Sequence, residues 1–345
     1  MRQSDGAGPQ DDVYDITIIG AGPTGLFAAY YAGMRGMRTK IIEALPEPGG
    51  QLATLYPEKY IYDLPAHREV LAKDLVGLLM EQIRPFAPTF VYGERIRTLT
   101  RETVNSDEVW RAGSGSNGHF TRTVLITAGI GAFEPNRLDR PGVAEYAERG
   151  VFYFVKDKEV FQGKRILIIG GGDAAVDWAL DLNDRASQIS LIHRRDGFRA
   201  HESSIALLRN TGIRILVFWE LKHLEGDGKE IKKAVIYNSK TGEERELDVD
   251  VVLINTGFKA NLGAIEAWGL EMADVRHIRT NGFMETSLPG VFAAGDIASV
   301  EGSVALNLII AGFGQAAVAA NAAKRKIDPS SSIFPGYSSE PNLGV

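Results

Sequence analysis

The sequence predicts an α/β protein built of two similar strand–turn–helix units, the second inserted within the first. Three observations predict it. An apolar run with Ile16, Ile18 and Ile19 stops at Gly20-Ala21-Gly22-Pro23-Thr24-Gly25, then passes through a small-residue, helix-compatible segment into a second apolar run ending on Glu43. The succession returns 150 residues later, where Arg165-Ile166-Leu167-Ile168-Ile169 leads into Gly170-Gly171-Gly172-Asp173-Ala174-Ala175. Finally, Val124-Leu125-Ile126-Thr127-Ala128-Gly129 is echoed 128 residues on by Val252-Leu253-Ile254-Asn255-Thr256-Gly257. Self-similarity of this kind marks a duplicated unit.

The first passage is G-x-G-x-x-G in the setting that gives it meaning: strand, tight turn, helix, strand, acid. Gly20 permits the turn, Gly22 lets a pyrophosphate approach the backbone, and Gly25 lets the helix pack on the sheet. The helix N-terminus beginning at Pro23 and Thr24 offers unpaired N–H groups to phosphate. Glu43 is placed to accept hydrogen bonds from a ribose diol.

The second passage repeats the turn with Gly170, Gly172, Asp173, Ala174 and Ala175, but the following strand, Ile189-Ser190-Leu191-Ile192, ends on His193-Arg194-Arg195, with Arg199 close behind. A carboxylate at that position favours a free ribose 2′-hydroxyl, whereas a guanidinium pairs with a 2′-phosphate. The first site is therefore expected to hold a nucleotide with an unmodified ribose and the second NADPH. A solvated basic turn is the competing reading of 194–199, and the position at a strand end favours phosphate.

Composition sets the outer bounds. A chain of 345 residues, 44% apolar, suits two domains with real cores. A formal net charge of −6 argues against general nucleic-acid binding, which needs a basic footprint. The lack of cysteine removes disulfides, thiolate nucleophiles and Cys-ligated zinc or iron–sulfur clusters. Residues 1–12 lack the apolar core of a secretory signal. The apolar segment Val304 to Ala320 is broken by Asn307 and Gln315 and falls short of a membrane span. A cytoplasmic protein without membrane attachment is expected.

The remaining chain reads in order. After Glu43 comes the turn-rich Pro46-Glu47-Pro48-Gly49-Gly50-Gln51-Leu52, then Tyr56, Tyr60 and Tyr62 within seven residues. These tyrosines suit a packed loop, which composition alone favours, and also suit stacking on a flat ligand. Leu71 to Ile83 reads as an amphipathic helix, and 90–126 as a β-meander around the turn at 113–118. Leu288 to Ile297 reads as a buried strand ending on Gly295-Asp296, with a long small-residue helix behind it. Asp296 suits a turn or helix cap, and equally a carboxylate that holds a sugar-alcohol hydroxyl. The Ser-, Pro- and Gly-rich end from Pro329 reads as a mobile terminus.

No protein-only active site presents itself: the six histidines form no i,i+4 metal pair, and there is no G-x-S-x-G. No metal is expected. Two dinucleotide sites without a catalytic constellation leave the hard chemistry to cofactors, and NADPH facing a flavin is the economical arrangement.

These residues resemble the two-dinucleotide-domain flavoproteins. His193-Arg194-Arg195 through Phe198-Arg199-Ala200 is similar to the NADPH signature of thioredoxin reductases, but Phe154-Val155-Lys156-Asp157-Lys158 stands where those enzymes carry a redox Cys-x-x-Cys. Over nearly the whole chain the resemblance is to the thioredoxin-reductase-like ferredoxin–NADP⁺ reductases (type 2). It is carried by Gly49-Gly50-Gln51-Leu52, Leu55 to Asp63, Gly131-Ala132-Phe133-Glu134-Pro135, Asp177-Trp178 and Pro335-Gly336-Tyr337-Ser338-Ser339. The chain departs from the family pattern at Leu64-Pro65-Ala66-His67-Arg68 and at Ala298 to Ser303.

The resemblance implies two Rossmann-like, three-layer ββα domains, an FAD domain over 11–128 and 258–328 and an inserted NADPH domain over 129–257. A tail, 329–345, would cover the flavin of the partner in a homodimer. It implies Tyr56 and Tyr337 stacked on the two flavin faces. Gly50, Gln51, Tyr60, Asp63, Ile96, Ala128, Gly129, Phe133, Asp296, Ile297 and Ser339 join Gly20 to Gly25 and Glu43 as FAD positions. The implied activity is hydride transfer from NADPH to the flavin N5, then single electrons to ferredoxin or flavodoxin. An NADPH oxidase or quinone reductase, and a non-catalytic flavin redox sensor, are the alternatives. The intact arginine set speaks against the sensor.

Overall fold

The computed structural model describes residues 13–334 apart from Ser116, together with Gly336; side chains at 132–134 and 258–260 lie outside the description. Phe133–Lys259 forms one compact unit, and the described residues on either side of it form the other.

In the first unit the strand Tyr14–Ile19 lies between Thr39–Ile42 and Gly118–Ile126, both parallel to it, with Ile18 opposite Ile41 and Leu125. Thr89–Val91 extends the parallel sheet beyond Thr39–Ile42, and Val291–Ala293 adds to it beside Gly118–Ile126. Asp107–Gly113 and Thr98–Val104 continue from Gly118–Ile126 as an antiparallel meander. Alternation along the strands divides the core by face. Ile16, Ile18 and Leu125 join the helices Pro23–Met34, Ala72–Ile83 and Ile309–Ile327 on one side. Ile19, Val124 and Ile126 join Leu99, Trp110 and Trp268 on the other. The result is a layer of helices, a parallel sheet and a meander layer. The helix Pro23–Met34 starts with Pro at its first turn after Gly22, where the missing N–H costs nothing. Its Ala28, Ala29 and Ala32 share one apolar cluster with Ala316, Ala319, Ala320 and Ala323, so two helices of small residues pack closely.

The second unit repeats the plan. Its parallel sheet runs in the order Val151–Phe152, Val251–Asn255, Arg165–Gly170, Gln188–His193, Arg214–Val217. Ile168 stands opposite Leu191 and Leu253. The helix Asp173–Asp181 packs against strand Arg165–Gly170. Leu167, Ile169, Ile192 and Val252 join Trp219, Leu221, Ala234 and Ile236 of an antiparallel sheet formed by Trp219–Gly226, Ile231–Asn238 and Glu244–Asp248. The second unit's chain ends are tied together: Asn136 N donates to Gly257 O at 3.0 Å, Asn136 Nδ2 to Thr256 O at 3.1 Å, and Thr256 Oγ1 to Asn136 O at 3.0 Å. The strands Ala132–Pro135 and Phe258–Asn261, through which the chain enters and leaves, pair with each other.

Two expectations need adjustment. The aromatic loop after Glu43 carries structure of its own, with a short helix Gln51–Thr54 and Tyr60–Ile61 paired to Val70–Leu71. The start of the terminal segment, read from composition as mobile, is fastened. Asp328 accepts hydrogen bonds from Ser330 and Ser331, and Arg35 donates to Ser332 O at 2.8 Å and to Asn321 Oδ1 at 2.6 Å. Those serine bonds hold the Asp328 carboxyl down at about 2. No helix among the described residues is long and apolar enough to cross a membrane.

Candidate functional site

In the first unit the glycine turn leaves the C-terminal end of the central strand, where ligands of doubly wound sheets bind. Gly20 has φ +111°, and a methyl there would lie 2.6 Å from the Thr127 carbonyl oxygen. Gly25 brings the helix so close that a methyl would collide with the Gly20 carbonyl. Gly22 has nothing within 4 Å of where a side chain would start and, as N-cap, no side chain capping the helix. It is an open cradle in front of unpaired N–H groups, and it fits a pyrophosphate.

Glu43 directly follows Thr39–Ile42 and is buried, accepting Ala21 N at 2.7 Å on one oxygen and Leu45 N at 2.9 Å on the other. The carboxylate thus fixes the turn to the strand end, and each oxygen keeps a further lone pair for a ribose hydroxyl.

Gly49-Gly50 packs beside the turn, Gly49 N donating to Ala21 O at 2.8 Å. From there Gln51 Nε2 reaches Asp296 Oδ2 at 3.1 Å and lies beside Gly129. Asp296 does not cap the following helix, whose N-cap is Leu308; burial raises its pKa, offset in part by Gln51 and by His277. Tyr56 stands near it: burial first, then the charges of Asp296 and Asp63, push its phenol up to about 12, so the ring remains neutral. Thr24 lies against both Gly295 and Gly312, and Gly295 N donates to Gln315 Oε1 at 2.7 Å, which joins the segment after Val291–Ala293 and the helix Ile309–Ile327 to the turn.

Other named residues fare differently. The side chains of Ile96 and Ile297 are buried in the meander-side core, so those side chains serve packing. Ala128 packs against the same cluster. Tyr60 exposes its ring, 6.4 Å from that of Tyr62, and Asp63 is exposed. Tyr337, Ser339 and the side chain of Phe133 lie outside the described residues.

Sequence reasoning missed Thr127, whose hydroxyl donates to Gly20 O at 2.8 Å and closes the turn; only its place in the repeated segment hinted at it. It also missed Tyr92, stacked on Phe90 at 5.3 Å and close enough to Glu43 that burial and that charge together raise its pKa.

The second unit builds the same turn. Gly170 occupies the position of Gly20: a methyl there would run into Asn255 O, as one at Gly20 would run into Thr127 O. Gly172 again has nothing within 4 Å and no capping side chain. Gly171 is bare because the His193 imidazole lies against it. That ring stacks on Phe198 at 5.4 Å. Burial holds its pKa below the usual histidine value, Arg194, Arg195 and Arg199 push the same way, and a hydrogen bond to the Gly197 backbone partly offsets them. Its Nε2 and the Asn255 Oδ1 are buried without partners among the described residues.

The basic turn is strapped to the glycine loop: Arg199 N donates to Gly171 O at 2.6 Å, and His201 N to Asp173 Oδ1 at 2.9 Å. Arg194, Arg195 and Arg199 are exposed and form no ion pair among the described residues. Asp173, Ala200, His201, Glu202 and Ser203 line a shallow cleft beside them. A bare glycine cradle, orphaned buried polar atoms and three free guanidinium groups fit an anionic nucleotide.

The chain matches the pyridine nucleotide-disulphide oxidoreductase family over residues 14–323. It is 51% identical over 332 residues to a Symbiobacterium thermophilum protein named ferredoxin–NADP reductase, covering 95% of this chain and 97% of that one. A Thermus thermophilus protein of the same name is 48% identical over 333 residues, with 95% and 97% covered. Among solved structures, the Lactococcus lactis thioredoxin reductase aligns with a TM-score of 0.75 at 28% identity, covering 91% of this chain and 99% of that one.

Proposed function

The chain belongs to the pyridine nucleotide-disulphide oxidoreductases and, among them, to the ferredoxin–NADP reductases of thioredoxin-reductase-like fold, and from that premise we propose that it is a ferredoxin–NADP reductase with FAD on the Gly20 turn and NADPH on the Gly170 turn. The observation that carries the assignment is the contrast at equivalent strand ends. A buried carboxylate follows Thr39–Ile42, and exposed, unpaired guanidiniums follow Gln188–His193. When bound, the two cofactors supply the redox chemistry, hydride transfer between nicotinamide and flavin and one-electron exchange with ferredoxin or flavodoxin.

The chain's own residues bind and orient. The bare backbone at Gly22 and Gly172 receives the pyrophosphates at helix N-termini. Glu43 accepts from the adenosine ribose of FAD, and Arg194, Arg195 and Arg199 pair with the 2′-phosphate of NADPH. Gln51 and Asp296 hold polar groups of FAD, and the neutral Tyr56 ring supplies a flat apolar face. No side chain is required as acid or base. With no cysteine, the chain has no dithiol relay of its own, which supports a separate carrier protein as acceptor. The enzyme works in the cytoplasm as a homodimer in which Tyr337 of one subunit covers the flavin of its partner.

Arg194→Ala with Arg195→Ala tests the assignment. At ~1.5–3 kcal/mol for each charge-assisted bond, KM for NADPH is expected to rise roughly 100-fold, with KM for NADH changing less than about threefold. Equal changes for both coenzymes would refute the second site. The acceptor is tested by comparing ferredoxin-dependent cytochrome c reduction with direct quinone reduction. Turnover confined to quinone would overturn that part.

A further inference from the structure

We infer that Asp173 is a positioning residue: its carboxylate fastens the closing end of the 194–201 basic turn to the phosphate-binding helix and so holds Arg199 in place for a coenzyme's 2′-phosphate. This rests on the reading of the Gly170 turn as the NADPH site.

An acid at this position calls for a reason. Asp173 is the first residue of the helix Asp173–Asp181, immediately after the uncapped Gly172. A negative charge suits the helix dipole, but it also stands where an anionic pyrophosphate would approach. Its carboxylate is engaged elsewhere: Oδ1 accepts the His201 N–H at 2.9 Å. His201 is the N-cap of the next helix, Glu202–Arg209, and its carbonyl accepts the Ile205 N–H at 3.0 Å. The bond therefore joins the starts of two helices.

The turn between them is held at three points. The His193 ring packs on Gly171 at its opening. Arg199 N donates to Gly171 O at 2.6 Å, and Gly172 and Arg199 form a β-bridge. His201 on Asp173 closes it. Arg194, Arg195 and Arg199 carry like charges with no ion pair among the described residues, so their mutual repulsion works to splay the turn. Closing the far end beforehand removes ordering cost from coenzyme binding.

The test uses the full-length, FAD-loaded protein and the Kd values of 2′,5′-ADP and 5′-AMP, which differ only in the 2′-phosphate. Asp173→Ala is expected to reduce the preference for 2′,5′-ADP about tenfold, and Asp173→Asn, which keeps an acceptor oxygen, to hold it within about threefold. His201 has φ −53°, which proline adopts, so His201→Pro deletes the donor and leaves the carboxylate; the same roughly tenfold loss is expected. An unchanged preference in Asp173→Ala and His201→Pro, or an equal loss for both ligands, would overturn the role. Arg199→Ala separates the two levels. If it lowers the preference while Asp173→Ala does not, only the positioning role fails. If it too leaves the preference unchanged, the NADPH-site reading fails with it.

Discussion

At the third glycine position of the repeated turn, the first unit has Gly25 and the second has Ala175. In the first unit a methyl would collide with the Gly20 carbonyl; in the second the methyl is present and sits 2.9 Å from where a side chain on Gly170 would begin. The closing groups differ too. Thr127 donates to Ile19 O and Gly20 O, while Asn255, its counterpart, keeps a buried oxygen without a partner among the described residues. Each oxygen of the acid beside the first turn already accepts one backbone N–H, whereas the cations beside the second form no ion pair among the described residues. The first turn is braced largely by the protein's own bonds, with lone pairs of Glu43 left for a ribose, while the second leaves more of its polar capacity for a ligand to fill. The same fold thus supports a site braced mainly by the protein and a site left more open to its coenzyme.

The sharpest way to break this comparison is to exchange the third residue. Gly25→Ala is expected to destabilise the protein by more than about 3 kcal/mol, since backbone must move, while Ala175→Gly costs about 1 kcal/mol from helix propensity. Thermal unfolding of the two variants checks it, and equal shifts would show the turns to be equally tight. Next in size are Gly22→Ala and Gly172→Ala, where nothing protein-borne lies within 4 Å. Both are expected to fold normally yet weaken FAD and NADPH respectively by roughly 10–100-fold, because the methyl intrudes on the phosphate side. Cofactor titration decides, and unaltered affinity would remove the cradles from the site.

The smallest effect concerns pH. His193 has its folded-state pKa depressed below the usual 6.5, chiefly by burial. Its contribution to stability is complete above the unfolded value and is lost as pH falls through the folded one. Melting temperature measured from pH 8 to 5 should decline more steeply in the natural chain than in His193→Gln. Parallel curves would acquit the imidazole.

Both parallel sheets were legible because buried strands read as apolar runs, and both turns because glycine spacing is local. The Glu43 and Arg194 contrast was legible for the same reason, each residue following its strand directly. What escaped lies in pairings between distant residues. Gln51 and Asp296 meet across 245 residues, and Arg35 reaches the Ser332 carbonyl across 297, so no local pattern announces either bond. Ile96 and Ile297 illustrate the converse: motif position points to a ligand, while both side chains, just outside the strands, are buried in the meander-side core. Following a glycine turn, Asp173 reads as a coenzyme contact, and only geometry reveals the backbone N–H on its Oδ1.

The knot at Asn136, Thr256 and Gly257 bears on how such a chain arose. An insert whose two ends are laced together keeps its two junctions side by side, so a whole nucleotide unit could be spliced between Ala132 and Ala260 with little disturbance of its host. Exchanging that cassette for one with a different strand-end residue would then be a modular route to new coenzyme preference.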